Sequence, residues 1–192
     1  VRGDHVSAEV GQHHVRLRVR ETYAGRENGV GPQLQEARLP ELVPLYAPTP
    51  NSYKRFAHQS FTPTRFNWGY DNRSCAVRVV DHGDGLHLEI RLPGADANPY
   101  LALVAVLAAA RDGICRSLTP PPACGGNAYE HGTGRAVPTT LDDALAAFRD
   151  GALPESLGPG VADHYTRLAQ IELDHHRRTV TDAERSRWFA QA

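Results

Sequence analysis

The stretch Leu86-His87-Leu88-Glu89-Ile90-Arg91-Leu92, running on through Pro93-Gly94-Ala95-Asp96-Ala97-Asn98-Pro99-Tyr100-Leu101, decides the fold. Successive side chains of a strand point to opposite sides, so Leu86, Leu88, Ile90 and Leu92 share an apolar face. His87, Glu89 and Arg91 then share the polar one. Upstream, residues 74–80 are β-branched and apolar, and Asp81-His82-Gly83-Asp84-Gly85 reads as the turn of a hairpin. A tight loop over residues 81–84 puts Arg78 opposite His87; a slip of one residue would send Arg78 into the core. Downstream, Asn98-Pro99 is a helix start, with asparagine as cap and proline at the first helical position. That helix is predicted to run to about Arg111 and stop at Asp112-Gly113. It is apolar all round, which predicts burial.

Working outward, Val15-Arg16-Leu17-Arg18-Val19-Arg20 alternates as a half-exposed strand does. Residues 34–46 are loosely helical, interrupted by Pro40 and Pro44. Pro48 and Pro50 impose an extended loop before Asn51-Ser52-Tyr53-Lys54-Arg55-Phe56, which holds the only lysine. Pro120-Pro121-Pro122 opens a long loop through Tyr129. A helix starts at Thr140, another covers residues 161–178, and Thr181 with Glu184 forms the capping box of the last. The fold class expected is α+β, an antiparallel sheet with helices covering one face. Residues 1–35 read as a degenerate or truncated N-terminal segment, and residues 36–192 as one domain.

The chain of 192 residues is 41% hydrophobic and 22% charged, ordinary for a soluble globular protein. A net charge of −1 supplies no field for nucleic acid or an anionic membrane, and neither is expected as a partner. The cysteines, Cys75, Cys115 and Cys124, show neither a disulfide framework nor a zinc ribbon. The longest apolar run, residues 100–110, is too short to span a bilayer. A reduced, cytoplasmic protein is the expectation. Methionine is absent and the chain opens on Val1, which suggests an alternative start codon or a segment of something longer.

Asn51-Ser52-Tyr53-Lys54-Arg55 and Leu88-Glu89-Ile90-Arg91-Leu92-Pro93-Gly94 together resemble the carboxyl-terminal half of the glutamine synthetase catalytic domain. This ligase family uses ATP and Mg²⁺ or Mn²⁺ to join the γ-carboxylate of glutamate to ammonia or an organic amine, by way of γ-glutamyl phosphate. The resemblance implies that Glu89 is a metal ligand and that Arg91 grips substrate carboxylate, a role suited to a planar guanidinium. It implies that Arg55 also touches substrate. Arg73, in Asp71-Asn72-Arg73-Ser74, and Arg78 match arginines that steady ATP phosphates, with Arg73 the catalytic one. Phosphoryl transfer spreads negative charge over several oxygens, so positioned cations are what it demands. Gly11-Gln12-His13-His14-Val15 resembles a family strand in which His14 falls on a metal-ligand position. On pattern alone, Glu89 and Arg91 also suit a solvated outer face, Arg55 a loop residue capping carbonyls, and His14 a surface histidine. Tyr129 matches a tyrosine that some bacterial members adenylylate. Glu172, His175 and His176 have helical ligand spacing but suit a solvated face better.

Several positions depart from the family pattern. Residues 57–63 replace a flap whose glutamate helps bind ammonium, and Phe61 stands at that glutamate. An apolar ring there suits an organic amine, as in the branch that makes γ-glutamylamines. His87 stands where classical members carry arginine. The resemblance implies an amino-terminal β-grasp domain that completes each active site across a subunit boundary in a homo-oligomeric ring, and the expectation is that these residues do not include it. Most metal-binding glutamates are lacking too. The expectation is an ATP-dependent glutamate–amine ligase impaired by truncation; the alternative is a non-catalytic module or partner subunit derived from one.

Overall fold

The computed structural model describes residues 7–11, 14–18, 38–81, 86–158 and 160–189. Its centre is a five-stranded sheet in the order β1-β2-β5-β4-β3, with β1 Ser7–Gly11, β2 His14–Arg18, β3 Trp68–Tyr70, β4 Val77–Asp81 and β5 Leu86–Ile90. The predicted hairpin is present: β4 and β5 pair antiparallel, with Val77 opposite Ile90 and Val79 opposite Leu88. Arg78 lies opposite Glu89 rather than His87, which faces Val80. That register differs from the expected one by two residues, so Arg78 keeps its face. The turn at residues 82–85 lies outside the described residues, as do the expected domain boundary at residue 35 and residues 19–37 around it.

The sheet is not wholly antiparallel. β3 runs parallel to β4, with Trp68 beside Val77 and Tyr70 beside Val79. Parallel neighbours ordinarily need a crossover of about a dozen residues or more. Here residues 71–76 return the chain within one loop. Asp71 makes the reversal in a left-handed conformation, φ 46°, which Asp tolerates better than most residues. Its N–H donates to the Val79 carbonyl at 2.8 Å, closing the return.

Helices cover the apolar face. A 3₁₀ turn, Leu39–Leu42, leads into α1, Val43–Tyr46; Pro40 and Pro44 fall in the opening positions of these turns, where no backbone donor is needed. The buried Tyr46 hydroxyl donates to the Leu39 carbonyl at 2.8 Å, so the ring enters the core with its polar end satisfied. α2 spans Pro99–Cys115, past the expected stop, with Gly113 inside the helix; the Asn98 side chain accepts from the Tyr100 and Leu101 amides. Its buried face is built of small residues, Ala102, Ala105, Val106, Ala109 and Ala110. The predicted all-round burial fails: Tyr100, Val104, Leu107 and Ile114 are exposed.

The remaining helices are α3 Ala128–His131, α4 Leu141–Asp150, α5 Ala152–Ser156, α6 Val161–Arg178 and α7 Asp182–Phe189. Thr140 caps α4, and Thr181 and Glu184 exchange hydrogen bonds at the start of α7, both as predicted. The one-turn helix α3, capped by Asn127, breaks the expected long loop. Leu88 and Ile90 from the sheet, and Leu92 just beyond it, meet Leu39, Leu42, Tyr46, Leu141 and Phe148 in one core. Among the described residues no helix is long and apolar enough to cross a membrane.

Candidate active site

The polar side of the hairpin is not a solvated face. Glu89 is only 9% exposed. A carboxylate so placed needs partners, and Arg78 provides one, its Nη1 donating to Glu89 Oε2 at 2.9 Å. The same guanidinium grips Asp71, through Nε at 2.9 Å and also through Nη2. Burial pulls the Arg78 pKa down, but the two carboxylates together more than reverse this and leave it raised. His87 Nε2 stands 3.9 Å from Glu89 Oε1.

Arg91 follows on the same strand face and reaches sideways to the loop of residues 57–62, with Nη2 donating to the Phe61 carbonyl at 3.0 Å. Its Nη1 is buried without a hydrogen-bond partner. An orphaned charged donor of this kind is where an incoming carboxylate gains most. Burial lowers the Arg91 pKa; Tyr129 and Glu89 raise it, and Arg78 and Arg73 push it down again. Arginine stays cationic near neutral pH despite such shifts. Those couplings bring Arg73, Arg78, Glu89 and Arg91 into one electrostatic group.

The 57–62 loop is held in an unusual shape. Gln59 and Phe61 both have φ of 61°, a left-handed conformation uncommon for such residues. Between them Ser60 Oγ shares its one proton between the Arg55 and Ala57 carbonyls, 2.6 and 2.7 Å away. The Tyr129 hydroxyl donates to the Thr62 carbonyl at 3.0 Å, and its ring packs on His58 with centroids 5.4 Å apart. The Phe61 ring is 83% exposed while its carbonyl is held by Arg91.

Arg73 is exposed at the rim of an open hollow of about 570 Å³ that Tyr70, Asn72, Cys124 and Gly126 also line. Its backbone is fixed by neighbours that sequence reasoning missed. Asn72 Nδ2 donates to the carbonyls of Gly126 at 2.7 Å and Cys124 at 3.3 Å. Asn72 Oδ1 accepts from the Ser74 amide at 3.0 Å and hydroxyl at 2.6 Å, and Ser74 Oγ accepts from the Ala128 amide at 2.8 Å. An Asn with Ser two residues on is the signature of a side-chain-closed turn, the signal that could have found them.

Arg55 sits apart from this group. Its Nη2 donates to the Leu92 carbonyl at 3.0 Å, its guanidinium lies 5.0 Å from the Phe56 ring centroid, and its Nε is buried without a hydrogen-bond partner. Burial lowers its pKa, and Asp96 acts in the opposite sense. The Asp96 carboxylate, missed from sequence, is anchored by Ser52 Oγ at 2.5 Å. Lys54 is exposed. His14 opens β2, next to Val15, whose partner is Ile90; its side chain lies outside the described residues.

The described residues do not compose a divalent-cation site. No group of three His, Cys, Asp or Glu gathers among them, and Glu89 offers one carboxylate already paired to Arg78. Hard cations such as Mg²⁺ take several oxygen ligands, more than this one side chain supplies. Glu172, His175 and His176 are exposed on α6 and form no such group. What the arrangement can do is hold anions: a guanidinium with a spare buried donor, a second one at the mouth of a hollow, and a third locked in place by carboxylates.

The family model for the glutamine synthetase catalytic domain matches residues 31–188. The gamma-glutamylethanolamide synthetase of Streptomyces coelicolor is 47% identical over 156 residues, covering 81% of this chain and 34% of that protein. The glutamine synthetase of Thermus thermophilus is 38% identical over 158 residues, covering 78% and 35%. A solved GmaS/ADP complex superposes with a TM-score of 0.75 at 27% identity, over 92% of this chain and 45% of that one. The chain thus spans about a third of the length of the curated relatives it matches.

Proposed function

The chain belongs to the glutamine synthetase family, and on that footing we propose that it forms the anion-gripping floor of an ATP-dependent ligase joining the γ-carboxylate of glutamate to an organic amine. Arg91 takes a glutamate carboxylate on its spare donor, Arg55 contacts the substrate from the Leu92 side, and Arg73 and Arg78 steady the ATP phosphates. Glutamate is thereby activated as γ-glutamyl phosphate, and the amine displaces phosphate. Glu89, with His14, would supply only part of a shell for Mg²⁺ or Mn²⁺ in this reading, and the remaining ligands would have to come from outside the described residues. Phe61 supports an organic acceptor over ammonium, because an exposed apolar ring packs against alkyl carbon and offers no charge to a small cation. Similarity to enzymes named for organic amines, such as the glutamate–methylamine ligase of Methyloversatilis universalis, agrees with this. A cytoplasmic setting and assembly as a homo-oligomer go with it.

One observation carries the reading: Arg73, Arg78 and Glu89 all act electrostatically on Arg91, whose spare donor is buried beside a strained loop. A second reading, a module that binds but does not turn over, is favoured by the lack of any described three-donor metal group. Incubating the chain with ATP, Mg²⁺ or Mn²⁺, glutamate and a panel of amines separates the two. We expect little or no turnover by the chain alone, and glutamate binding by calorimetry that Arg91→Ala abolishes. Turnover at ordinary ligase rates would refute the module reading; glutamate binding indifferent to Arg91 would refute the ligase floor.

A further inference from the structure

Two cysteines far apart in sequence meet where the 71–76 loop touches residues 121–126. Cys75 is buried and Cys124 half-buried, and both are free thiols. Asn72 ties the two together: its carbonyl accepts from the Cys75 amide at 3.3 Å, and its side chain donates to the Cys124 carbonyl at 3.3 Å. The Cys124 amide donates to the Trp68 carbonyl at 2.8 Å, which fixes this segment along β3. The two thiols are near enough to couple electrostatically, and Cys124 Sγ stands 4.0 Å from the Gly125 carbonyl oxygen. Cys115 is exposed at the end of α2.

We propose that Cys75 and Cys124 form a reversible disulfide, driven by a small-molecule disulfide such as oxidised glutathione, that locks residues 121–126 to the 71–76 loop. The roles follow from access. Burial, then the neighbouring Cys124, pushes the Cys75 thiol up to about 12, so it stays protonated and out of reach of bulk oxidant. Cys124 reacts first: it loses its proton, its sulfur attacks one sulfur of glutathione disulfide, and one glutathione thiolate departs. That thiolate, or water, takes the Cys75 proton. The Cys75 sulfur then attacks Cys124 Sγ and expels the second glutathione. Two protein thiols and one glutathione disulfide become one protein disulfide and two glutathione thiols, with two electrons passed to the oxidant. Because Cys124 lines the hollow beside Arg73, the crosslink would fix one wall of it. Any effect on nucleotide binding rests on the ligase reading; bond formation does not.

The test therefore reads the bond and not the activity. The folded chain is equilibrated with graded ratios of oxidised to reduced glutathione, alkylated, digested with trypsin and mapped by mass. Cleavage after arginine puts Cys75, Cys115 and Cys124 in separate peptides. The expected result is a peptide of residues 74–78 joined to one of residues 117–135, alkylatable thiols falling from three to one, and full reversal by reduced glutathione. Cys115→Ser should leave this unchanged, and Cys75→Ala should leave a lasting glutathione adduct on Cys124. Persistent glutathionylation of Cys124 in the unsubstituted chain, linkage through Cys115, or both thiols still alkylated in oxidant excess would each overturn the proposal. Should Cys75→Ala not fold, mapping of the unsubstituted chain decides alone.

Discussion

Arg78 divides one guanidinium between two carboxylates in very different surroundings. The Glu89 side chain is 12% exposed and that of Asp71 53%. Breaking a buried pair strands a charge, whereas an exposed pair contributes little. Glu89→Ala is therefore expected to lose about 3 kcal/mol in urea unfolding, and Asp71→Asn, which keeps a residue that tolerates the left-handed turn, no more than ~1 kcal/mol. Equal losses would mean that the pairing is screened throughout. Gly94 acts on Arg55 in another way. A Cβ there would stand 2.8 Å from Arg55 Nη2 and would crowd the Asp96 carboxylate as well. The far end of an arginine can move, so Gly94→Ala should keep the fold and displace the guanidinium. We expect glutamate affinity to fall about tenfold, roughly 1.4 kcal/mol, with little change in Tm.

At the scale of elements, the 71–76 return loop depends on Asn72, whose side chain makes four hydrogen bonds. Asn72→Ala should destabilise the chain by about 2 kcal/mol, and amide exchange should quicken in residues 123–126 before it does in β5. The capping box of α7 adds a pH dependence. Hydrogen bonds from the Thr181 backbone and then its side chain hold the Glu184 carboxyl below its ordinary 4.5. A depressed acid stabilises the helix above its unfolded pKa and loses that contribution as pH falls through the folded one. The Thr181 amide resonance should titrate with a midpoint below 4.5, and Thr181→Ala, which keeps the backbone donor and removes the hydroxyl, should shrink the shift without erasing it. Helix starts and the hairpin were legible because N-terminal caps and period-two alternation are local signals: Asn98, Thr140, Thr181 and Leu88-Glu89-Ile90 carry them in their own neighbourhoods. The parallel β3 was not legible, since Trp68-Gly69-Tyr70 is too short for a period and its direction depends on the left-handed Asp71. Glu89 burial was equally out of reach, because alternation says which face a residue takes and not what covers it. The Arg73–Arg78–Arg91 group came through the family resemblance; Asp96 beside Arg55 had no signal beyond proximity to a turn.

For the whole molecule, the exposed stripe on α2 matters most. Tyr100, Val104, Leu107 and Ile114 follow helical spacing and are 78, 45, 39 and 42% exposed. An exposed apolar strip of this kind, interrupted by Arg111, favours association. Light scattering should show mass rising with concentration, and Val104→Lys with Leu107→Glu should suppress it without lowering Tm. A monodisperse monomer up to high concentration would contradict that. The other route by which sheet proteins associate is narrowed on one side. The Trp68 carbonyl is taken by the Cys124 amide, and the Trp68 indole donates to Pro121 at 2.8 Å. Residues 121–124 thus serve as a selvedge along the outermost strand, leaving a second sheet little to zip onto there. Clumping through ribbon-like stacking at that border is discouraged, which leaves the helical backs and the opposite border, β1, as the faces by which copies could meet.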